Sequence, residues 1–69
     1  MDIAKKVKRL LLEKNVTATK LAQKVGITQP AISYKMTNNS YSIEDLEKIA
    51  AALDCELEIN FILNNGEKI

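Results

Sequence analysis

Gln29, Ser33 and Thr37 recur every fourth residue, with Tyr34 beside them, so an amide, two hydroxyls and a phenol share one side of a helix read over 28–36 and just beyond it. These groups donate and accept hydrogen bonds without carrying charge, the chemistry that reads the edges of bases. A face that meets only water usually carries Lys and Glu instead. Ile32 and Met36 form the opposite, apolar side. Thr28 stands where it can cap the helix, and Pro30 falls in the first turn, where a missing N–H costs little.

Other elements must hold that face outward. Leu21, Ala22 and Val25 put an apolar stripe on 18–25, with Thr17 at the N-cap and Gly26 just past the last apolar residue. A left-handed glycine there stops the helix with least strain. Ile27 plugs the corner between the two helices. An earlier helix runs from about Asp2 to Lys14, with Ile3, Val7, Leu10 and Leu11 as its core side and Asn15 able to end it. Thr37, Asn38, Asn39 and Ser40 read as a turn-rich loop in which either asparagine can take positive φ. Ser42 and Asp45 have capping-box spacing, opening a last helix whose stripe is Ile43, Leu46, Ile49, Ala50 and Leu53.

The segment LAQKVGITQPAIS, Leu21 to Ser33, resembles the helix-turn-helix of the Cro and lambda-repressor-like (Xre-like) family of phage and bacterial regulators. The likeness covers most of the chain, including the first helix and the later run EDLEKIAAALDC. It implies a mainly α, lambda-repressor-like bundle of about four helices, with residues 1–54 as the helix-turn-helix unit. It implies a small transcriptional regulator, a repressor, that binds a near-palindromic site on double-stranded DNA. Thr28, Gln29, Pro30, Ser33 and Tyr34 fall at the family's base-reading positions. Gln29 is the leading candidate, because its amide can pair bidentately with adenine. Tyr34 reads equally as a base or phosphate contact and as a partly packed surface aromatic. Thr19, Lys20, Asn38, Asn39 and Ser40 fall where the family grips phosphates.

Departures from the family pattern are equally specific. Ala18 replaces a common glutamine that contacts phosphate, and Met36 stands where many members carry glutamate. The loop after the second motif helix has two asparagines in place of the usual Gly and Arg, and Lys35 lies near a position that is often apolar.

Net charge is only +1 over 69 residues, but it is unevenly placed. Residues 1–35 hold eight basic and two acidic side chains, a net +6, and residues 36–69 hold two basic and seven acidic, a net −5. Phosphate attraction follows the local patch. Lys20, Lys24 and Lys35 matter most on this count, since they lie in or beside the motif.

A chain this short forms one small domain that buries roughly 60% of its unfolded surface and is marginal alone. Cys55 is the sole cysteine and there is no histidine, so neither an internal disulfide nor a Cys/His zinc site is expected. Cys55 has no evident cationic neighbour and reads as a small hydrophobe. No serine or cysteine has a plausible adjacent base and no glycine-rich phosphate loop is present, so no enzyme and no cofactor is expected. Leu10, Leu11 and Leu12 are too short a run for a signal segment or membrane span, which points to the cytoplasm.

From Cys55 the period changes to two, with Leu57, Ile59, Phe61 and Leu63 alternating with Glu56, Glu58, Asn60 and Ile62. This predicts a C-terminal β-strand within 55–69. Asn64, Asn65 and Gly66 can turn the chain, but the three residues after them are few for a hairpin. The reading therefore favours antiparallel pairing with a second copy, a homodimer through Leu57, Ile59, Phe61 and Leu63, over an internal hairpin or an edge blunted by Glu56 and Glu58. From another class, an antitoxin or adaptor that binds a protein partner through the same fold also fits.

Overall fold

The structure is a computed structural model that describes residues 2–69; Met1, the first residue of the expected 1–54 unit, lies outside them. Four helices follow in order: α1 (Ile3–Lys14), α2 (Ala18–Val25), α3 (Gln29–Asn38) and α4 (Ile43–Ala52). Each starts at a side chain that accepts a first-turn amide: Asp2 from Lys5, Thr17 from Lys20, Thr28 from Ala31 and Ser42 from Asp45. These bonds satisfy donors that the helix itself leaves unpaired. Ser42 and Asp45 complete the reciprocal capping box, with Ser42 N–H donating to Asp45 Oδ2 at 2.9 Å.

The helices stop in a common way. Asn15, Gly26, Asn39 and Asp54 all take positive φ, and the residue after each donates back across the last turn: Val16 to Leu11 O, Ile27 to Ala22 O, Ser40 to Lys35 O and Cys55 to Ala50 O. This is the Schellman arrangement, in which orphan carbonyls gain a donor and an apolar residue after the turn folds onto the helix. Val16, Ile27 and Cys55 do pack against the core. Ser40, polar, does not.

The core is Val7 and Leu11 of α1, Leu21 and Ala22 of α2, Ile32 of α3, and Ile49 and Leu53 from α4 and its end. Leu21 and Ile32 are fully enclosed. The main helix contacts are α2 with α3, α2 with α4, and α1 with α3, so α2 is the hub that carries α3 on one side and α4 on the other. Ile3 and Leu10 are only half-buried, and Ala4 is buried in their place. Ile43, at the open start of α4, is 53% exposed and does not extend the apolar stripe. Thr37 and Asn38, read as loop, instead form the last turn of α3.

The C-terminal strand expected from 55–69 is not formed. Among the described residues no β-strand is present, and the only bridge in 55–69 is an isolated antiparallel one between Ile62 and Lys68. Cys55 belongs to the end of α4, and the backbone of 56–60 makes no hydrogen bond among the described residues. Beyond it the chain doubles back: Ile69 N–H donates to Phe61 O at 2.9 Å, Phe61 N–H to Ile69 O, and Leu63 N–H to Glu67 O at 2.7 Å. The turn is closed by Gly66 N–H donating to Leu63 O, with Gly66 at φ +88°, a three-residue loop of the type that ends in a left-handed glycine. Three residues after the turn give an isolated bridge and no pair of strands, as their small number implies. Leu57, Ile59, Phe61 and Leu63, assigned to a dimer interface, are 39%, 55%, 74% and 40% exposed. With no strand among the described residues, a ladder between copies has nothing to start from, and the structure does not support the expected strand-paired dimer. The tail gives the molecule an elongated outline, 42 × 24 × 19 Å with a radius of gyration of 13.2 Å, against about 11 Å for a compact chain of this length.

Candidate nucleic-acid interface

α3 is presented rather than buried. Ile32 is its one buried residue, with Ala31, Lys35 and Met36 half-buried, and the rest of its surface faces outward. Gln29, Ser33 and Thr37 form one exposed row at four-residue intervals, and Pro30, Tyr34 and Asn38 form the adjacent row. Tyr34 is 64% exposed. The surface offers an amide, hydroxyls, a phenol and a proline ring, with no acidic side chain among them.

Thr28, the fifth residue expected to read bases, is exposed at the N-cap, where its Oγ1 accepts from Ala31 N–H at 3.3 Å. That bond uses the hydroxyl as an acceptor and leaves its hydrogen free to donate. The structure thus brings Thr28, Gln29, Pro30, Ser33 and Tyr34 together on one exposed side of one helix.

The residues expected to grip phosphates divide into two groups. Thr19, Lys20 and Lys24 of α2 are exposed, and the backbone N–H of Lys20 is taken by Thr17 Oγ1 at 3.1 Å while its side chain has no protein partner among the described residues. Ser40 is also exposed. Lys35 and Asn39 are engaged elsewhere. Lys35 Nζ donates to Asp45 Oδ2 at 2.8 Å, tying α3 to the start of α4. Asn39 Oδ1 accepts from Ala4 N–H at 2.8 Å, supplying one of the first-turn partners that α1 lacks. Asn38 Nδ2 donates to Tyr34 O at 2.9 Å, back along its own helix.

The Lys35 hydrogen bond, seconded by the Ser42 amide, holds the Asp45 carboxyl below the usual carboxylate range against the effect of its partial burial. Close by, burial and then the negative charge of Asp45 push the Tyr41 phenol up. Tyr41 packs against the core, and its buried hydroxyl has no partner among the described residues.

Two features escaped sequence reasoning. Asn38, placed in a loop, joins the row of Pro30 and Tyr34 because α3 runs two residues beyond 36. The bond from Ala4 to Asn39 joins residues 35 apart, a pairing that no local pattern signals. The position of Lys35, unusual for an often apolar site, is accounted for: its stem lines a crevice with Val25, Ile27, Ile32 and Ile49 while its ammonium reaches Asp45.

Among the described residues no group of three or more His, Cys, Asp or Glu is placed to hold a metal ion, and no helix is long and apolar enough to cross a membrane. No curated protein and no solved structure shows a significant match to the chain. Residues 6–58 do match a family model, that of the Cro/C1-type HTH DNA-binding domain. The match spans all of α2, α3 and α4 and most of α1, and the family's members are regulators without catalytic motifs. With the helix-turn-helix geometry and the model agreeing over the same residues, the chain belongs to the Cro/C1-type helix-turn-helix DNA-binding family.

Proposed function

We propose that this chain is a sequence-specific transcriptional repressor that inserts α3 into the major groove of double-stranded DNA. The observation that carries the reading is the composition of the exposed α3 surface: hydrogen-bonding side chains, no acid, and lysines on the neighbouring α2. Gln29 pairs bidentately with an adenine, an interaction worth roughly 1–3 kcal/mol of discrimination against another base. Pro30 meets a thymine methyl, and Thr28, Ser33 and Tyr34 complete the base-reading set. Thr19, Lys20 and Lys24, with Asn38 and Ser40, grip the phosphates and fix register without reading sequence. One helix reads few base pairs, so two copies acting on half-sites about 34 Å apart would read a near-palindrome.

The test is selection of bound duplexes from a random pool, followed by titration over a salt series. Gln29→Ala should relax preference at one base pair per half-site, whereas Lys20→Ala should weaken binding to every duplex and lower the salt slope by about 1. Equal effects of both changes on all duplexes would contradict these roles.

A second reading has one observation in its favour. Leu57, Ile59, Phe61, Ile62, Leu63 and Ile69 are all exposed large apolar side chains within one short segment, and a patch of that kind suits a protein partner, as in an antitoxin or adaptor. Binding to duplexes without steep salt dependence would favour it.

A further inference from the structure

The reading of α3 as the base-reading helix leaves open what sets its orientation. Ile32 is its single buried residue and Met36, one turn on, is half-buried. So narrow an apolar stripe resists rolling less than a broad one does. The main helix contacts join α3 to α2 and to α1, and do not include α3 with α4. At a radius of 5–6 Å a roll of about 20° moves a side chain by roughly 2 Å, more than a hydrogen bond tolerates.

Two polar contacts add restraint outside that stripe. Lys35 Nζ meets Asp45 Oδ2 at 2.8 Å, with the two side chains 26% and 25% exposed. That oxygen also accepts Ser42 N–H at 2.9 Å, so the ammonium is tied to a point already fixed by the cap of α4. At the far end of α3, Asn39 sits at φ +51° and its Oδ1 takes Ala4 N–H at 2.8 Å. One strut runs to α4 and the other to α1.

We propose that Lys35 and Asn39 are positioning residues that set the roll and tilt of α3, and through it the sequence selectivity of this domain, and that neither is a phosphate contact. This rests on α3 being the helix that reads bases. The two roles leave different traces. A cationic phosphate contact at Lys35 would add to the salt dependence of binding to any sequence and a neutral one at Asn39 would strengthen binding to all sequences alike, whereas a strut leaves the slope untouched and acts on the difference between right and wrong sequences.

The experiment compares wild type with Lys35→Met, Lys35→Arg, Asn39→Gly and the phosphate control Lys20→Ala. Asn39→Gly keeps the left-handed turn while deleting the strut. Each protein is titrated over a salt series with random-sequence duplex and with the duplex that wild type selects from a random pool. Lys35→Met and Asn39→Gly should each lower the selected-to-random affinity ratio about tenfold, comparable to losing one bidentate base contact, with the salt slope unchanged. Lys35→Arg, which keeps the ion pair, should restore the ratio, and Lys20→Ala should lower the slope by about 1 and spare the ratio.

Residual dipolar couplings of the α3 amides, measured without DNA, should show α3 turned relative to α2 in Lys35→Met and Asn39→Gly and unmoved in Lys20→Ala. A slope lowered by about 1 in Lys35→Met would make Lys35 a phosphate contact and overturn the proposal. So would an unchanged ratio in both strut variants, or an unmoved α3. Absence of salt-dependent duplex binding by wild type would remove the base-reading role itself, and the selectivity role with it. An unmoved α3 in a protein that does bind would remove the struts alone.

Discussion

Leu21 and Phe61 are both large apolar residues in regularly patterned sequence, yet Leu21 is fully enclosed and Phe61 is 74% exposed. The difference lies in where each segment finds its backbone partners. α2 satisfies its own amides and carbonyls, with Thr17 and Gly26 closing its ends, so its apolar stripe is free to dock on α3 and α4. The tail has the alternation of a strand, but a strand's partners lie on another strand. Residues 56–60 have none among the described residues, and the turn at Gly66 holds only an isolated bridge within 61–69. Pattern alone produces structure where the hydrogen bonds are local, and only exposes apolar side chains where they are not.

The largest test of that contrast is Leu21→Ala. A fully buried leucine at the hub of three helices should cost about 2–5 kcal/mol, enough to unfold a domain of this size at physiological temperature. Thermal melting followed by circular dichroism at 222 nm should show it. A loss under about 1 kcal/mol would mean that the core is not organised around α2.

Gly26→Ala comes next. Nothing lies within 4 Å of the added methyl and the backbone sits at φ +77°, so the cost is conformational alone, about 1–2 kcal/mol. Because Gly26 sets the angle between α2 and α3, duplex affinity should fall alongside the melting temperature. Ser42→Ala should cost about 1 kcal/mol through loss of one capping hydroxyl, a figure that denaturant titration resolves.

These helix ends explain how much of the molecule was legible in its sequence. Thr17, Gly26, Thr28, Ser42 and Asp45 act on neighbours within a few residues, and all five stand in the roles their types and spacing indicate. The exposed side of α3 follows from the same periodicity once Ile32 and Met36 point inward. What the sequence did not disclose is long-range. Lys35 reads as a free cation until Asp45, ten residues on, is seen beside it, and Asn39 reads as a loop residue until α1 is placed against it. The alternation at 55–63 misleads for the converse reason: it is genuine, but alternation is silent about whether a partner edge exists. The turn at Asn65 and Gly66 was the better local guide there.

Acid should probe the ion pair that joins α3 to α4. The Asp45 carboxyl is held below its ordinary range by Lys35 and by the Ser42 amide, so its contribution is complete above the unfolded carboxylate value near 3.9 and is lost as pH falls through the lower folded value. Asp45→Asn should therefore narrow the stability gap to wild type below about pH 4 and leave it constant from pH 5 to 8. Tyr41 has the opposite sign: its raised phenol lends stability that is whole below about pH 10 and fades as pH climbs through the folded value. Denaturant midpoints for both proteins across that range check the two limbs.

The smallest expected effect is the most informative about the tail. Phe61→Ser replaces a ring that is 74% exposed and lies outside the buried core cluster, so stability should move by less than about 0.5 kcal/mol. A change that small, beside the loss from Leu21→Ala, would show that the helical unit stands without its tail. Melting midpoints should also be independent of protein concentration in both proteins. A wild-type midpoint that climbs with concentration, and a Phe61→Ser midpoint that does not, would mean that this surface is covered in solution by mass action. The contrast between an enclosed Leu21 and an open Phe61 would then belong to the isolated chain alone.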